Sequence, residues 1–219
     1  MKKHSIALLL LLVLLTGCGA KTEEAPWQTA YRETGKYLQE QDTLSAGSVG
    51  GEWAVIGLSR AGLLSDETAQ SYEQTVEDYV KQAGSVRLHH AKSTENSRAI
   101  LGLTAAGYNA ANMAGVDLTA GLTDMAYLRA QGTNGPIWAL IALDCHGYDI
   151  PQCADGEEQT TREGLVAEIL SYQCSDGGWA LMGDESDVDM TAMALTSLAP
   201  YQEETDVKAA VDAEAHLLM

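Results

Sequence analysis

The sequence predicts an all-α fold in which apolar helices form an inner layer and amphipathic helices an outer one. Three observations predict it: a recurring Ala- and Gly-rich apolar segment, an amphipathic stretch ahead of each copy, and the near absence of alternating strand pattern. The apolar segments run from Glu52 to Gly62, Ser97 to Tyr108, Ile137 to Tyr148 and Asp189 to Tyr201. Superposing Gly57, Gly102, Ala142 and Ala194 gives steps of 45, 40 and 52 residues, the length of a helix pair with its loops. Each segment is apolar nearly all round, as a helix buried on every side must be, and each ends at Gly or Pro. The stretches between them keep a polar face. Trp27 to Gln41 sets Trp27, Tyr31 and Leu38 near one side, and Asp66 to Gln82 gathers Ala69, Tyr72, Val76, Tyr79 and Val80 behind Asp66 as N-cap. Leu122 to Gln131, Thr161 to Gln173 and a segment from about Glu203 follow the same rule. Val86-Arg87-Leu88 is too short to make a strand. Alternation of this kind is solved by an α/α toroid or solenoid.

Composition bounds the function. A chain of 219 residues with formal charge -18 and 46% hydrophobic residues has the core of an ordinary domain. Thirteen Lys and Arg against thirty-one Asp and Glu repel a phosphate backbone, which excludes nucleic acid as a partner. The thirteen aromatic residues include no Phe, so any aromatic-lined pocket relies on Tyr and Trp. At the start, Lys2-Lys3, an apolar run from Ile6 to Leu15 and small residues have the order of a secretory signal over residues 1–17, too short to span a bilayer as a helix. Leu15-Thr16-Gly17-Cys18 resembles the bacterial lipobox, which implies cleavage before Cys18 and a diacylglyceryl group on its thiol. The expected organisation is a signal at 1–17, the lipidated Cys18 with a polar tether to residue 26, and one helical domain over 27–219. The expected location is the outer face of a bacterial cell membrane. Among the other cysteines, the short span from Cys145 to Cys153 allows a disulfide that leaves Cys174 single, and three unpaired thiols is the equal alternative.

The most specific motif is Gln173-Cys174-Ser175-Asp176-Gly177-Gly178-Trp179, with weaker copies at Gly50-Gly51-Glu52-Trp53 and from Gln131 to Trp138. A Gln ending an outer helix can hydrogen-bond the turn, Gly177-Gly178 makes the reversal, and the Trp fills the groove beside the next inner helix. This run resembles the repeat of the squalene–hopene cyclase and prenyltransferase β-subunit superfamily over about residues 27–215. The resemblance implies an α/α toroid, and the lipobox together with the Glu52 and Asp187 segments looks most like cell-surface toroid proteins of Gram-positive, clostridia-like bacteria. Such toroids close with five to seven helix pairs. Four pairs and the start of a fifth outer helix are legible here, so the expectation is an incomplete ring, with a protein partner among the ways of completing it.

The resemblance implies three chemistries. Asp187-Val188-Asp189-Met190-Thr191-Ala192 resembles the Asp-x-Asp-Asp-Thr-Ala motif of class II terpene cyclases, with Asp189 as the acid and Asp187 as its partner, but Met190 stands where the last aspartate belongs. Loss of that carboxylate weakens a shared-proton arrangement, and both residues stand where a helix should start, which favours the ionised form. Asp144-Cys145-His146 offers the residue types of a prenyltransferase zinc site, yet consecutive helical residues fan through about 200° and cannot converge on one ion. His89-His90 falls in a loop, and no Gly-Cys-Gly-Glu-Gln thioester stretch occurs. No metal and no cofactor is therefore expected. The expected function is non-catalytic binding of a ligand or partner at the turns that begin the inner helices, with Glu52, Trp53, Trp138, Asp187 and Asp189 as candidates. Corrinoid is among the ligands, by resemblance to cobalamin carriers; the alternative is a degenerate cyclase or prenyltransferase-like enzyme.

Overall fold

The computed structural model describes residues 25–41, 44–48 and 50–215, so the signal, Cys18 and most of the tether lie outside the described residues. Among these residues the fold is all-α. Its helices are α1 (Pro26–Gln39), α2 (Gly51–Arg60), α3 (Asp66–Ala83), α4 (Thr94–Ala105), α5 (Met125–Arg129), α6 (Asn134–Asp144), α7 (Arg162–Ser171), α8 (Val188–Leu198) and α9 (Thr205–Ala215). Short 3-10 turns stand at Ala110–Asn112, Leu118–Leu122 and Ala199–Tyr201. Isolated bridges, such as Asp124 to Gln159, are the only strand-like pairings among the described residues.

The apolar helices pack in series: α2 against α4, α4 against α6, and α6 against α8. Around them, α1 meets α2, α5 and α7 meet α6, and α9 meets α7. The sequence explains why α4 and α6 sit in the middle. Ile137, Leu140 and Leu143 of α6, with Ile100 and Leu103 of α4, are fully buried, each contributing about 1.5–3 kcal/mol of burial. Gly102 lets α3 come close, since a Cβ there would meet the Tyr72 hydroxyl at 2.2 Å.

Local chemistry fixes the ends of the helices. Ser65, one residue before the expected Asp66, caps α3 by accepting the Thr68 N–H at 3.1 Å, which leaves Asp66 in the first turn where its charge favours the dipole. Gly84, at φ +60°, ends the helix. Arg162 closes the far end of α6: its guanidinium donates to Asp144 Oδ1 at 2.7 Å, to the Leu143 carbonyl at 2.9 Å and to the Tyr148 carbonyl at 2.8 Å. Tyr201 donates to the other oxygen of Asp144 at 2.8 Å, tying the turn after α8 into the same knot.

Two expectations are revised. The third outer helix, expected over Leu122–Gln131, is broken into a 3-10 turn and the five-residue α5. Asp124 interrupts it by capping α5 through Ala126 N–H, while Thr123 and Met125 pair with Thr160 and Glu158 of the following loop. Trp27 and Tyr31 of α1 face solvent, and Leu38, expected on the same side, is half-buried, although an amphipathic helix ordinarily turns such residues inward.

Candidate functional site

The open face of the apolar layer carries a tryptophan pair. Trp53, in the first turn of α2, and Trp138, in α6, meet with ring centroids 5.2 Å apart and planes tilted by 58°. Trp53 is 43% exposed and Trp138 half-buried. Neither indole N–H has a partner among the described residues. Ile56 and Arg60 of α2, Leu101 of α4 and the exposed Cys145 just past the end of α6 line a cavity of about 260 Å³. The other polar groups at this cavity are committed: Ser59 donates to the Ala105 carbonyl at 2.6 Å, and Thr104 donates to the Ile100 carbonyl at 2.7 Å. Desolvation, with the neighbouring Asp144 carboxylate, pushes the Cys145 thiol up, so it is not poised as a nucleophile. An aromatic and apolar surface with one guanidinium can bind by burial and charge. It holds no pairing of nucleophile and base.

Glu52 is not part of that face. Its carboxylate is buried between α2, α3 and α4, with Oε1 accepting the Gly47 N–H at 2.6 Å and Oε2 3.9 Å from Arg98 Nη1. Arg98 is held more closely by Glu95, at 2.6 Å. Glu52 Oε2 and the nearby Tyr72 hydroxyl are both buried without hydrogen-bond partners, and burial followed by the Glu52 charge pushes the phenol far up. The candidate ligand residue is thus interior, because the first turn of α2 presents Trp53 outward and its neighbour inward.

Asp187 is the N-cap of α8. Its Oδ1 accepts the Met190 N–H at 2.8 Å and its Oδ2 the Leu181 N–H at 3.3 Å. Both Asp187 and Asp189 are exposed. Asp187 is spent on the helix cap and Asp189 faces water, so neither sits in the enclosed, water-free setting that an alkene-protonating acid requires. Neither residue hydrogen-bonds to Glu52 or to either tryptophan of the pair.

The Gln173–Trp179 turn is built from hydrogen bonds. Gln173 Nε2 donates to the Gly177 carbonyl at 2.7 Å and to the Ala210 carbonyl of α9 at 3.0 Å. The Cys174 N–H donates to the Gly178 carbonyl at 2.8 Å, closing the reversal. Gly177 sits at φ +98°, and a Cβ at Gly178 would meet Ser186 Cβ at 2.6 Å, so the turn needs both glycines. Asp176 accepts from Ser186 N–H and hydroxyl at 3.2 and 2.9 Å and from Gly178 N–H, and the Ser186 bonds hold its carboxyl below the usual range. Trp179 is fully buried, its ring N–H donating to the Ile169 carbonyl at 2.8 Å and its backbone N–H to Thr191 Oγ1 at 2.9 Å.

The weaker copies differ. Gln131 caps α4 instead, its Oε1 accepting from Ser93 Oγ at 3.0 Å and Thr94 N–H at 2.9 Å. Trp53 and Trp138 lie inside helices on the open face, whereas Trp179 precedes its helix and is sealed beneath it. Residues that sequence reasoning did not single out include Arg60, Leu101 and the exposed run Leu181-Met182 with Val188 beside the Asp187 cap. Their only signal is an apolar or unpaired side chain on the open side of a helix, and reading it requires the packing.

Cys145, Cys153 and Cys174 are free. The disulfide expected as one alternative is absent, since Cys145 Sγ donates to the Ala142 carbonyl at 3.1 Å and Cys153 Sγ to the Glu157 carbonyl at 3.6 Å. Among the described residues no three His, Cys, Asp or Glu side chains converge on a metal position, and His89 and His90 stack on each other at 4.5 Å. No helix of the described residues is long and apolar enough to cross a membrane. Comparisons with protein-family models, curated proteins and solved structures find no match to this chain.

Proposed function

We propose that this chain is an exported, lipid-anchored binding protein of the α/α toroid kind, taking an apolar ligand or a protein partner on the open face of its apolar helices. The observation that carries this reading is the Trp53–Trp138 pair, two large aromatic side chains from α2 and α6 that meet in the open. The toroid arrangement is supported by the serial packing of α2, α4, α6 and α8 with other helices outside them, and by the Gln173–Trp179 turn, whose hydrogen bonds are those its resemblance to the cyclase and prenyltransferase repeat calls for. Export and acylation at Cys18 rest on the order of residues 1–18.

Against the cyclase alternative stand the exposure of Asp189, the capping role of Asp187 and the absence of Phe from the chain. The test is a titration of tryptophan fluorescence on the chain freed of its signal, with a corrinoid, squalene and a prenyl diphosphate as probes. Saturable quenching by one of them, lost in the double variant Trp53→Ala/Trp138→Ala and kept in Asp189→Asn, is the expected result. Turnover of squalene or the diphosphate that Asp189→Asn abolishes overturns the reading in favour of the enzyme.

A further inference from the structure

Helix α1 contributes least to the core. Gly35 is its buried residue, Leu38 is half-buried, and the Gln39 side-chain amide donates to the Leu63 carbonyl. The rest of the helix faces out, and what it shows there is unusual. Trp27, Ala30, Tyr31, Thr34, Tyr37 and Leu38 recur at three- and four-residue steps, so they share one face, and all but the half-buried Leu38 are exposed, the aromatic ones by 67%, 52% and 62%. Arg32, Glu33 and Lys36 fall outside this face, which therefore carries no charge. The neighbouring outer helix α3 does the reverse, presenting Asp66, Glu67, Gln70, Gln74, Asp78 and Lys81 to water.

Trp and Tyr combine an apolar ring with one hydrogen-bonding edge, which suits them to the boundary between water and hydrocarbon rather than to either phase. Resting on the reading that Cys18 is acylated, we infer that α1 is a second membrane contact, lying in the bilayer interface with Trp27, Tyr31 and Tyr37 against the lipid. From Cys18 to Pro26 is eight residue steps, a reach of at most about 28 Å. Acyl chains in the bilayer thus hold α1 within range of the headgroups and make its contact intramolecular in effect. The full sequence has net charge -18, which loss of Lys2 and Lys3 with the signal makes more negative, and this opposes any attraction to anionic lipid, so attachment comes from the uncharged aromatic face and is not weakened by salt.

The experiment uses the acylated protein from membranes of cells expressing the full chain, reconstituted into phosphatidylcholine vesicles whose acyl chains carry bromine, a contact quencher of tryptophan. The expected result is partial quenching, unchanged at high salt, that disappears in Trp27→Phe while circular dichroism stays unaltered. Quenching that Trp27→Phe leaves intact overturns the inference, as does no quenching in protein whose Cys18 acyl group is seen by mass spectrometry. Self-association in detergent that Tyr31→Ser/Tyr37→Ser disperses also overturns it, assigning the face to a second copy. Mass spectrometry showing an unmodified Cys18 removes the anchor itself, and so separates failure of that reading from failure of α1 to meet lipid.

Discussion

Replacing each of three tryptophans by phenylalanine separates the sealed ring from the open pair. Trp179→Phe removes the ring N–H that donates to the Ile169 carbonyl at 2.8 Å and leaves a void where the larger ring was fully buried. The carbonyl keeps its bond from the Tyr172 N–H, so the lost hydrogen bond costs about 0.5–1.5 kcal/mol rather than a full desolvation penalty. The void adds on the order of 1 kcal/mol. A total of about 2 kcal/mol lowers Tm by roughly 4–8 °C in a chain of this size. Trp53→Phe and Trp138→Phe keep an aromatic pair and forfeit N–H groups that have no partner among the described residues, so each changes stability by less than about 0.5 kcal/mol. Thermal unfolding followed by far-ultraviolet circular dichroism compares the three directly. If Trp53→Phe melts as early as Trp179→Phe, the division between a structural tryptophan and an open pair is wrong.

Three further outcomes are expected. Tyr72→Phe deletes a buried hydroxyl with no partner, so urea unfolding should show stability unchanged or raised by up to about 1 kcal/mol, and a loss would mean the hydroxyl is satisfied in solution. Burial pushes Tyr127 up to about 12, and burial with a hydrogen bond to Glu168 does the same for Tyr172. Unfolded phenols ionise near pH 10, so their contribution is complete below about pH 10 and is lost between about 10 and 12 as the unfolded state gives up protons that the folded state keeps; Tyr127→Phe should flatten that decline in a pH series of urea midpoints. Alkylation of the native protein without reductant should label Cys145 and Cys153, with Cys174 reacting only on unfolding, as read by intact mass.

Much of the helical plan was legible because burial on all sides and burial on one side leave different periodicities. The apolar runs at Ile137 and Asp189 became α6 and α8 for that reason, and Ala69, Tyr72, Val76 and Val80 turned inward together. What stayed hidden was set by neighbours. The period of α1 is genuine, but period does not say which medium an aromatic face meets, and only the packing on Gly35 decides that it points outward. The break at Asp124 depends on a loop some thirty residues later, through Glu158 and Thr160, which no local window contains. In the candidate site, Glu52 and Trp53 read as one motif although a rotation of about 100° between successive helical residues sends one into the core and the other out of it. The meeting of Trp53 with Trp138 joins side chains of α2 and α6, helices that each pack on α4, a pairing that no local window contains.

The helix contacts also bear on how such a chain can acquire its structure. Every helix pair in substantial contact lies within two places along the chain: α1 with α2, α2 with α4, α5 and α7 with α6, α7 with α9. Among the described residues each helix finds its main helical neighbours close along the chain, so loop-closure entropy is met in small instalments. A polypeptide emerging from a narrow channel amino terminus first could therefore lay down α2, α4 and α6 in turn, each new helix finding its template already in place.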